Sequence, residues 1–434
     1  MLLFSYNAPS PTLFMMRILL WLALATAHAA VCQTAEPTYN YDEARVGTYT
    51  LPDPLRTNKG QQVTSPAEWA RRRTELLRLF AENVYGQTPA QAVKLRFQTT
   101  QTDENALSGL AVRKQVSIFF TDYPQVPPIN VLLYIPKAAQ RPAPVILGLN
   151  FCGNHCVTGE SDIILSDRWM ANVGGGVSVN NRATEKARGL QTRRWAIDTI
   201  LKRGYALATA YYGDIEPDHP QGWRSGIRSV LGDTTRANNW AAIGAWAWGM
   251  SRILDYLQTE AKLDSRRVVL MGHSRIGKAA LWAAAQDERF AAVIANESGE
   301  GGAALSRRWY GETVERLNTS FPHWFCRNYR NYNQRVADLP IDQHELLALI
   351  APRPLYVASA EGDQWSDPRG EFLGAVQVEP VYRLFKKTGL GTTTFPAVDQ
   401  AVGQSVRYHN RTGKHDVTDF DWYQYLRFAD DLVR

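Results

Sequence analysis

The chain has 434 residues, of which 45% are hydrophobic and 21% charged, with a formal net charge of +6. That is ample for one large buried core, and α/β domains commonly exceed the usual domain size, so a single domain with insertions is expected over residues 30–434. The cations are scattered, which excludes the clustered patch that nucleic acid needs but leaves room for weak attraction to an acidic polysaccharide; no internal repeat or long low-complexity tract is present.

The first feature along the chain is "MMRILLWLALATAHAA" (Met15 to Ala30), with one positive charge, an apolar run and the small-residue pattern Ala27-His28-Ala29. This reads as a signal peptide cut after about Ala29, so residues 1–29 are a targeting segment. The polar "MLLFSYNAPSPTLF" before it suggests a start at Met15 or Met16. The run is too short, and too soon followed by polar residues, to span a membrane. Val31 is too bulky for a lipoprotein cleavage site before Cys32. The expected location is periplasmic or extracellular, where disulfides persist. "NFCGNHC" places Cys152 and Cys156 four apart in a glycine-containing loop, suited to a local disulfide. A zinc site using His155 lacks a fourth ligand, so no metal is expected.

Residues 37–60 read as an extended polar segment. "SPAEWARRRTELLRLFAENVYG" (Ser65 to Gly86) carries a serine N-cap, proline in the first turn, glutamate three after the cap and a glycine stop, which predicts a helix. Strands are predicted at "KQVSIFFT", "INVLLYIP" and "APVILGLNF", the last two as sheet neighbours, and at "YALATAYYGD". "NWAAIGAWAWGMSRILDYLQT" reads as a long helix whose tryptophans and alanines pack in the core. The strand "RRVVLM" (Arg266 to Met271) and the helix "KAALWAAAQ" then flank a tight corner, "GHSRIG". "RFAAVIANESG" and "RPLYVASAEGDQWSDP" follow, and a short strand, a loop and a helix close the chain. Strands alternating with helices predict an α/β fold of α/β-hydrolase type, a mostly parallel doubly wound sheet in a three-layer sandwich. Two insertions, about 153–198 and 303–345, are expected to shape the active-site mouth.

Ser274 sits on the strand-to-helix corner, where flanking glycines permit a sharp turn that exposes the hydroxyl: the geometry of a nucleophile elbow. The spacing is Gly-x-Ser-x-x-Gly, not the common Gly-x-Ser-x-Gly. Such a serine needs a histidine to take its proton and an acid to fix that histidine's tautomer. In chain order Ser, acid, His, the histidine belongs in the loop before the last helix. His415 in "GKHDVT" fits, with Asp416 or Thr418 able to cap the helix, and His409 in "RYHNR" is read as structural. For the acid, "PLYVASA" leads to Asp363 and "AAVIANESG" to Glu297; pattern alone favours Asp363. Arg275 places a cation at a helix N-terminus, against the dipole. That suggests a use, stabilising an oxyanion beside the nucleophile. Lys278, three residues on, lies on the same face.

The stretch "GHSRIGKAALWAAAQDERFAAVIANESGEGGAALSRR" strongly resembles the glucuronoyl esterases, carbohydrate esterase family 15. The resemblance continues through "WAAIGAWAWG", "GLNFCGNH", "HWFCRNY", "SAEGDQWSDPRGE" and "YHNRTGKHDVTDFDW". It implies an α/β-hydrolase that cleaves the ester between 4-O-methyl-glucuronic acid of glucuronoxylan and lignin alcohols, without metal or cofactor. It implies Ser274 as nucleophile, His415 as base and Arg275 as oxyanion stabiliser, with Glu297 as the acid after the strand following the elbow. Asp363 matches a further acid found in bacterial members. Lys278 would contact uronate hydroxyls, and Glu312 and Trp365 resemble further sugar-contacting positions. His273 stands where fungal members have a cysteine, and Glu300 where some bacterial members have one, which leaves Cys326 without that partner. A deacetylase of xylan is the rival enzymatic reading. A silent carbohydrate-binding domain would lack triad members, and none is lacking here. A monomer is the working expectation.

Overall fold

Short runs of β-branched and aliphatic residues form the strands, because branched side chains pack well on a pleated surface. In the computed structural model, which describes residues 39–433, these are β1 (Leu95–Asn105), β2 (Ala111–Phe120), β3 (Ile129–Pro136), β4 (Ala143–Asn150), β5 (Ser178–Val179), β6 (Arg182–Ala183), β7 (Ala206–Tyr211), β8 (Leu263–His273), β9 (Ala292–Asn296), β10 (Leu355–Ala360), β11 (Ala401–Gly403) and β12 (Val406–Arg411). The β5–β6 ribbon stands apart. The others build one ten-stranded sheet in the order β1-β2-β3-β7-β4-β8-β9-β10-β12-β11. Neighbours from β7 to β12 run parallel, while β1, β2 and β3 at one edge and β11 at the other are antiparallel to their partners. The expected signal peptide, residues 1–29, and Cys32 lie outside the described residues.

Side-chain alternation along the central strands makes two cores. Val145, Leu147 and Leu149 of β4 and Val268 and Leu270 of β8 enter one core, while Ile146, Val269 and Met271 enter the other. Successive side chains of a strand point to opposite faces, so parallel central strands must be apolar on both. Helices Pro66–Asn83, Ala242–Leu257 and Arg275–Gln286 cover the first face, and Ile197–Lys202 and Asp419–Val433 the second. The result is the expected three-layer α/β-hydrolase sandwich. Trp246 and Trp248 of the long helix are buried, as predicted, and so is Trp240 just before its start. Ser65 caps its helix by accepting the Glu68 N–H at 3.4 Å. Among the described residues no helix is long and apolar enough to cross a membrane.

Two expectations about the sheet need correction. β3 and β4 are not neighbours: β7 lies between them, antiparallel to β3 and parallel to β4. The six-residue link between them looks like a hairpin loop, yet an extended link of that length reaches across a strand about 4.8 Å wide. β1 and β11 were also absent from the sequence reading. β1 is polar and largely exposed, and β11 has three residues, so neither carries the apolar signature of a central strand. Cys152 and Cys156 are bridged, which their spacing allowed but did not decide, and Cys326 is free and buried.

Candidate active site

The elbow is built by close packing around two glycines. Ser274 links β8 to the Arg275–Gln286 helix with φ 57° and ψ −131°, a left-handed conformation for a residue with a side chain. Such a conformation costs about 1–3 kcal/mol and persists only where its surroundings enforce it. A Cβ on Gly272 would lie 2.3 Å from the Ile276 carbonyl oxygen, and one on Gly277 3.0 Å from the Ser298 Cβ. The Ser274 N–H donates to the Asn296 carbonyl at 2.9 Å, tying the elbow to the end of β9. The serine side of this corner remains half-buried, not sealed.

Four strands adjacent in the sheet deliver the expected reacting groups. Ser274 follows β8, Glu297 follows β9, Asp363 lies just beyond β10, and His415 just beyond β12. Ligand sites of open parallel sheets lie at this carboxyl edge. His415 Nδ1 lies 2.6 Å from Asp363 Oδ2 and 3.0 Å from Glu297 Oε2, so both candidate acids meet one nitrogen. The imidazole packs on His273, with ring centroids 4.5 Å apart, immediately beside the elbow serine. Its side chain is 37% exposed, whereas Glu297 is fully buried.

Arg411 organises this corner, and sequence reading missed it. Its guanidinium donates to Glu297 Oε1 at 2.6 Å and to Asp421 Oδ2 at 2.7 Å. It also donates to the carbonyls of Thr412, Lys414 and Asp416, which clamps the loop carrying His415. The Asp416 N–H donates to Glu297 Oε2 at 2.8 Å. Thr418, not Asp416, caps the last helix: it accepts the Asp421 N–H, while Asp416 pairs with Arg193 and Arg194. His409 is structural, as expected, buried between Asp421 and the Tyr356 hydroxyl.

Burial works against a charged His415, but the hydrogen bonds and fields of Asp363 and Glu297 outweigh it and raise its pKa to about 10. Burial pushes Glu297 up to about 7, against the pull of His415 and Arg411. His273 is driven well below the usual histidine range by burial and by the neighbouring His415, so it is neutral. His273, Glu297 and His415 could between them present metal-ligating atoms within 4.8 Å. Hydrogen bonds claim these groups instead: the Asn296 side-chain amide lies 2.8 Å from His273 Nδ1, and both acids hold His415 Nδ1.

Arg275 is anchored by a residue that sequence reading also missed. Its guanidinium pairs with Asp218 and lies 4.7 Å from the ring centroid of Trp324, while its Nε is buried without a partner. Asp218 also accepts from Trp324 Nε1 at 2.8 Å and the Tyr212 hydroxyl at 3.0 Å, and bonds His323 Nε2 at 2.7 Å. Burial alone would raise this carboxyl, but the bond from His323 and the charge of Arg275 hold it well below the usual range. An anion so placed offsets the unfavourable field of the helix N-terminus on Arg275. No signal marks Asp218 in the sequence, because Arg275, His323 and Trp324 reach it from two distant segments.

Lys278 lies on the same helix but is 2% exposed. Its ammonium donates to the carbonyls of Ser298 and Glu300 and to Glu312 Oε1, each at 2.6 Å. All three of its donors are therefore taken by the protein, and a direct contact with a sugar requires it to release one. Burial raises Glu312 above the ordinary carboxyl range, partly offset by Lys278. Trp365 is half-buried, with Tyr39 at its edge and its carbonyl accepting the Glu312 N–H at 2.8 Å. The 303–345 insertion thus supplies Glu312, His323 and Trp324 to the site region.

A family model described as glucuronyl esterase of fungi matches residues 234–385. The chain is 46% identical over 400 residues to carbohydrate esterase MZ0003 of an unknown prokaryotic organism, covering 90% of this chain and 91% of that protein. A solved glucuronoyl esterase from Solibacter usitatus is 51% identical with a TM-score of 0.84, over 90% of this chain and 99% of that one. A promiscuous esterase of carbohydrate esterase family 15 from a marine bacterial metagenome is 45% identical with a TM-score of 0.85, over 91% and 99%.

Proposed function

Because this chain belongs to the glucuronoyl esterases of carbohydrate esterase family 15, we propose that it hydrolyses the ester joining (4-O-methyl-)glucuronate of glucuronoxylan to a lignin alcohol. The observation that carries the mechanism is the His415 imidazole, held through Nδ1 by two carboxylates and packed beside the elbow of Ser274. With Nδ1 engaged, Nε2 is the nitrogen left to exchange protons. Ser274 Oγ attacks the uronate carbonyl and gives its proton to His415 Nε2. The alcohol leaves with that proton, and water, deprotonated by the same nitrogen, releases glucuronate and restores the serine.

Negative charge develops on the carbonyl oxygen in both steps. Arg275 begins its helix, so its backbone N–H has no intrahelical acceptor and is an oxyanion donor of the usual elbow type. Its guanidinium, held by Asp218, adds a fixed positive charge; loss of one such donor costs about 10²–10³ in rate. Glu312, braced by Lys278, and Trp365 read the uronate ring, the tryptophan through its flat apolar face. No cofactor is needed for this chemistry. Residues 1–29 export the enzyme, and residues 30–434 form its one catalytic domain. The test is kinetics on matched esters: a glucuronate benzyl ester should be turned over with kcat/KM at least tenfold above the galacturonate ester and an acetyl ester. Preference for the acetyl ester would make the protein a deacetylase.

A further inference from the structure

The segment that packs against Arg275 has a second use for its other residues. Trp324 supports the guanidinium, while its neighbours Pro322, His323 and Phe325 line a separate crevice of about 310 Å³. Arg236, Arg327 and Arg330 also line it, and no aspartate or glutamate does. These three guanidiniums are exposed, and among the described residues none forms an ion pair, although Arg236 lies close enough to Asp233 for its charge to be felt there. By contrast, buried Arg228, at the floor of the same crevice, takes both oxygens of Glu216, and buried Arg308 takes Asp367. Arg327 and Arg330 are instead oriented by the carbonyls of Thr235 and Pro322, at 2.8 and 2.9 Å, which fix position without cancelling charge. Half-buried Trp223 gives the crevice an aromatic wall.

Three exposed guanidiniums without an ion-pair partner, two of them oriented by carbonyls and all beside an aromatic face, suit a planar carboxylate on a sugar ring, because arginine binds carboxylates through two parallel bonds and tryptophan accepts the apolar ring face. We propose that this crevice is a second carbohydrate subsite, which takes the free carboxylate of a neighbouring, unesterified uronate on the glycan whose ester is cleaved at Ser274. The inference rests on the glucuronoyl-esterase reading. Residues 322–326 form the common wall of the two sites, so one acidic glycan strand can engage both.

The test compares two xylo-oligosaccharide esters of equal length, one carrying only the esterified glucuronate and the other a second, free glucuronate. The wild-type enzyme should show a KM about tenfold lower for the second substrate, an advantage lost in Arg236→Gln/Arg327→Gln and abolished at about 1 M salt, where charges are screened within about 3 Å. The kcat/KM for the simple methyl ester of glucuronate should stay within about twofold of wild type in that variant. Equal KM values for the two oligosaccharides in the wild type, or an advantage that survives in the folded variant, would overturn the subsite. Should the variant fail to fold, the salt arm decides, and an advantage that persists at high salt overturns it. Failure of the esterase reading looks different: the wild type would then turn over neither oligosaccharide nor the methyl ester.

Discussion

Asp363 and Glu297 share the Nδ1 of His415, but their surroundings are not equivalent. Glu297 Oε1 is bound by Arg411 and Oε2 by the Asp416 N–H, so its charge already has a partner. Among the described residues the Asp363 carboxylate bonds only His415. Its full field therefore acts on the imidazole, and Glu297 does as much to fasten the loop as to polarise the base. Asp363→Asn should lower kcat by about 10²-fold or more, and Glu297→Gln by less when measured on a glucuronate ester. The pH profile gives an independent reading. The neutral imidazole is the base, and the acids raise its pKa to about 10, so activity rises with pH as the imidazolium loses its proton. Removing Asp363 takes away support for the charged form, and the ascending limb of kcat/KM should move toward lower pH. A limb that stays in place would assign the coupling to Glu297.

At the scale of elements, the corner between β8 and its helix is the most constrained part of the site. Gly272→Ala places a methyl group 2.3 Å from the Ile276 carbonyl, so the helix start must retreat. Overpacking of this kind costs about 1–3 kcal/mol. The variant should melt a few degrees lower and lose activity beyond what its stability explains, whereas wild-type values of both would show that the helix is free to shift. This corner was legible in the sequence because it is local: a β-branched run, two glycines and an alanine-rich helix occupy adjacent positions. His415 and both acids were legible for a related reason, since each follows a recognisable strand. The place of β7 between β3 and β4 was not, because strand order depends on long-range pairing and not on the length of a link. Asp218, Arg411 and Glu371 were missed as well. Glu371 accepts the N–H groups of Ser298 and Gly299 and bonds the Ser359 hydroxyl, holding the turn that follows Glu297. Each such hub joins segments far apart in the chain, and no spacing rule points to it.

For the whole molecule, the buried ionisable groups set a pH window. Burial raises Glu300 and Glu371 to about 8, and Asp214 and Glu345 to about 7, above their unfolded values near 4. The folded state then holds protons that the unfolded chain releases, so this stability is present below about pH 4 and declines as pH rises toward 8. His415, raised above its unfolded 6.5, acts in the same sense up to about pH 10. Burial lowers His155 and His273, which favours the folded state as pH rises, but that gain is complete near pH 6.5. Between pH 6.5 and 8 the raised groups therefore act alone, and Tm should fall across this interval; a flat or rising Tm there would mean that these carboxyls are ionised in the folded protein. The central claim, that Ser274 is the nucleophile served by His415 across the sheet edge, has one direct measurement: hydrolysis of a glucuronate benzyl ester by Ser274→Ala beside wild type. The account predicts a fall in kcat of at least about 10³-fold with Tm unchanged. Wild-type turnover by the alanine variant would contradict it.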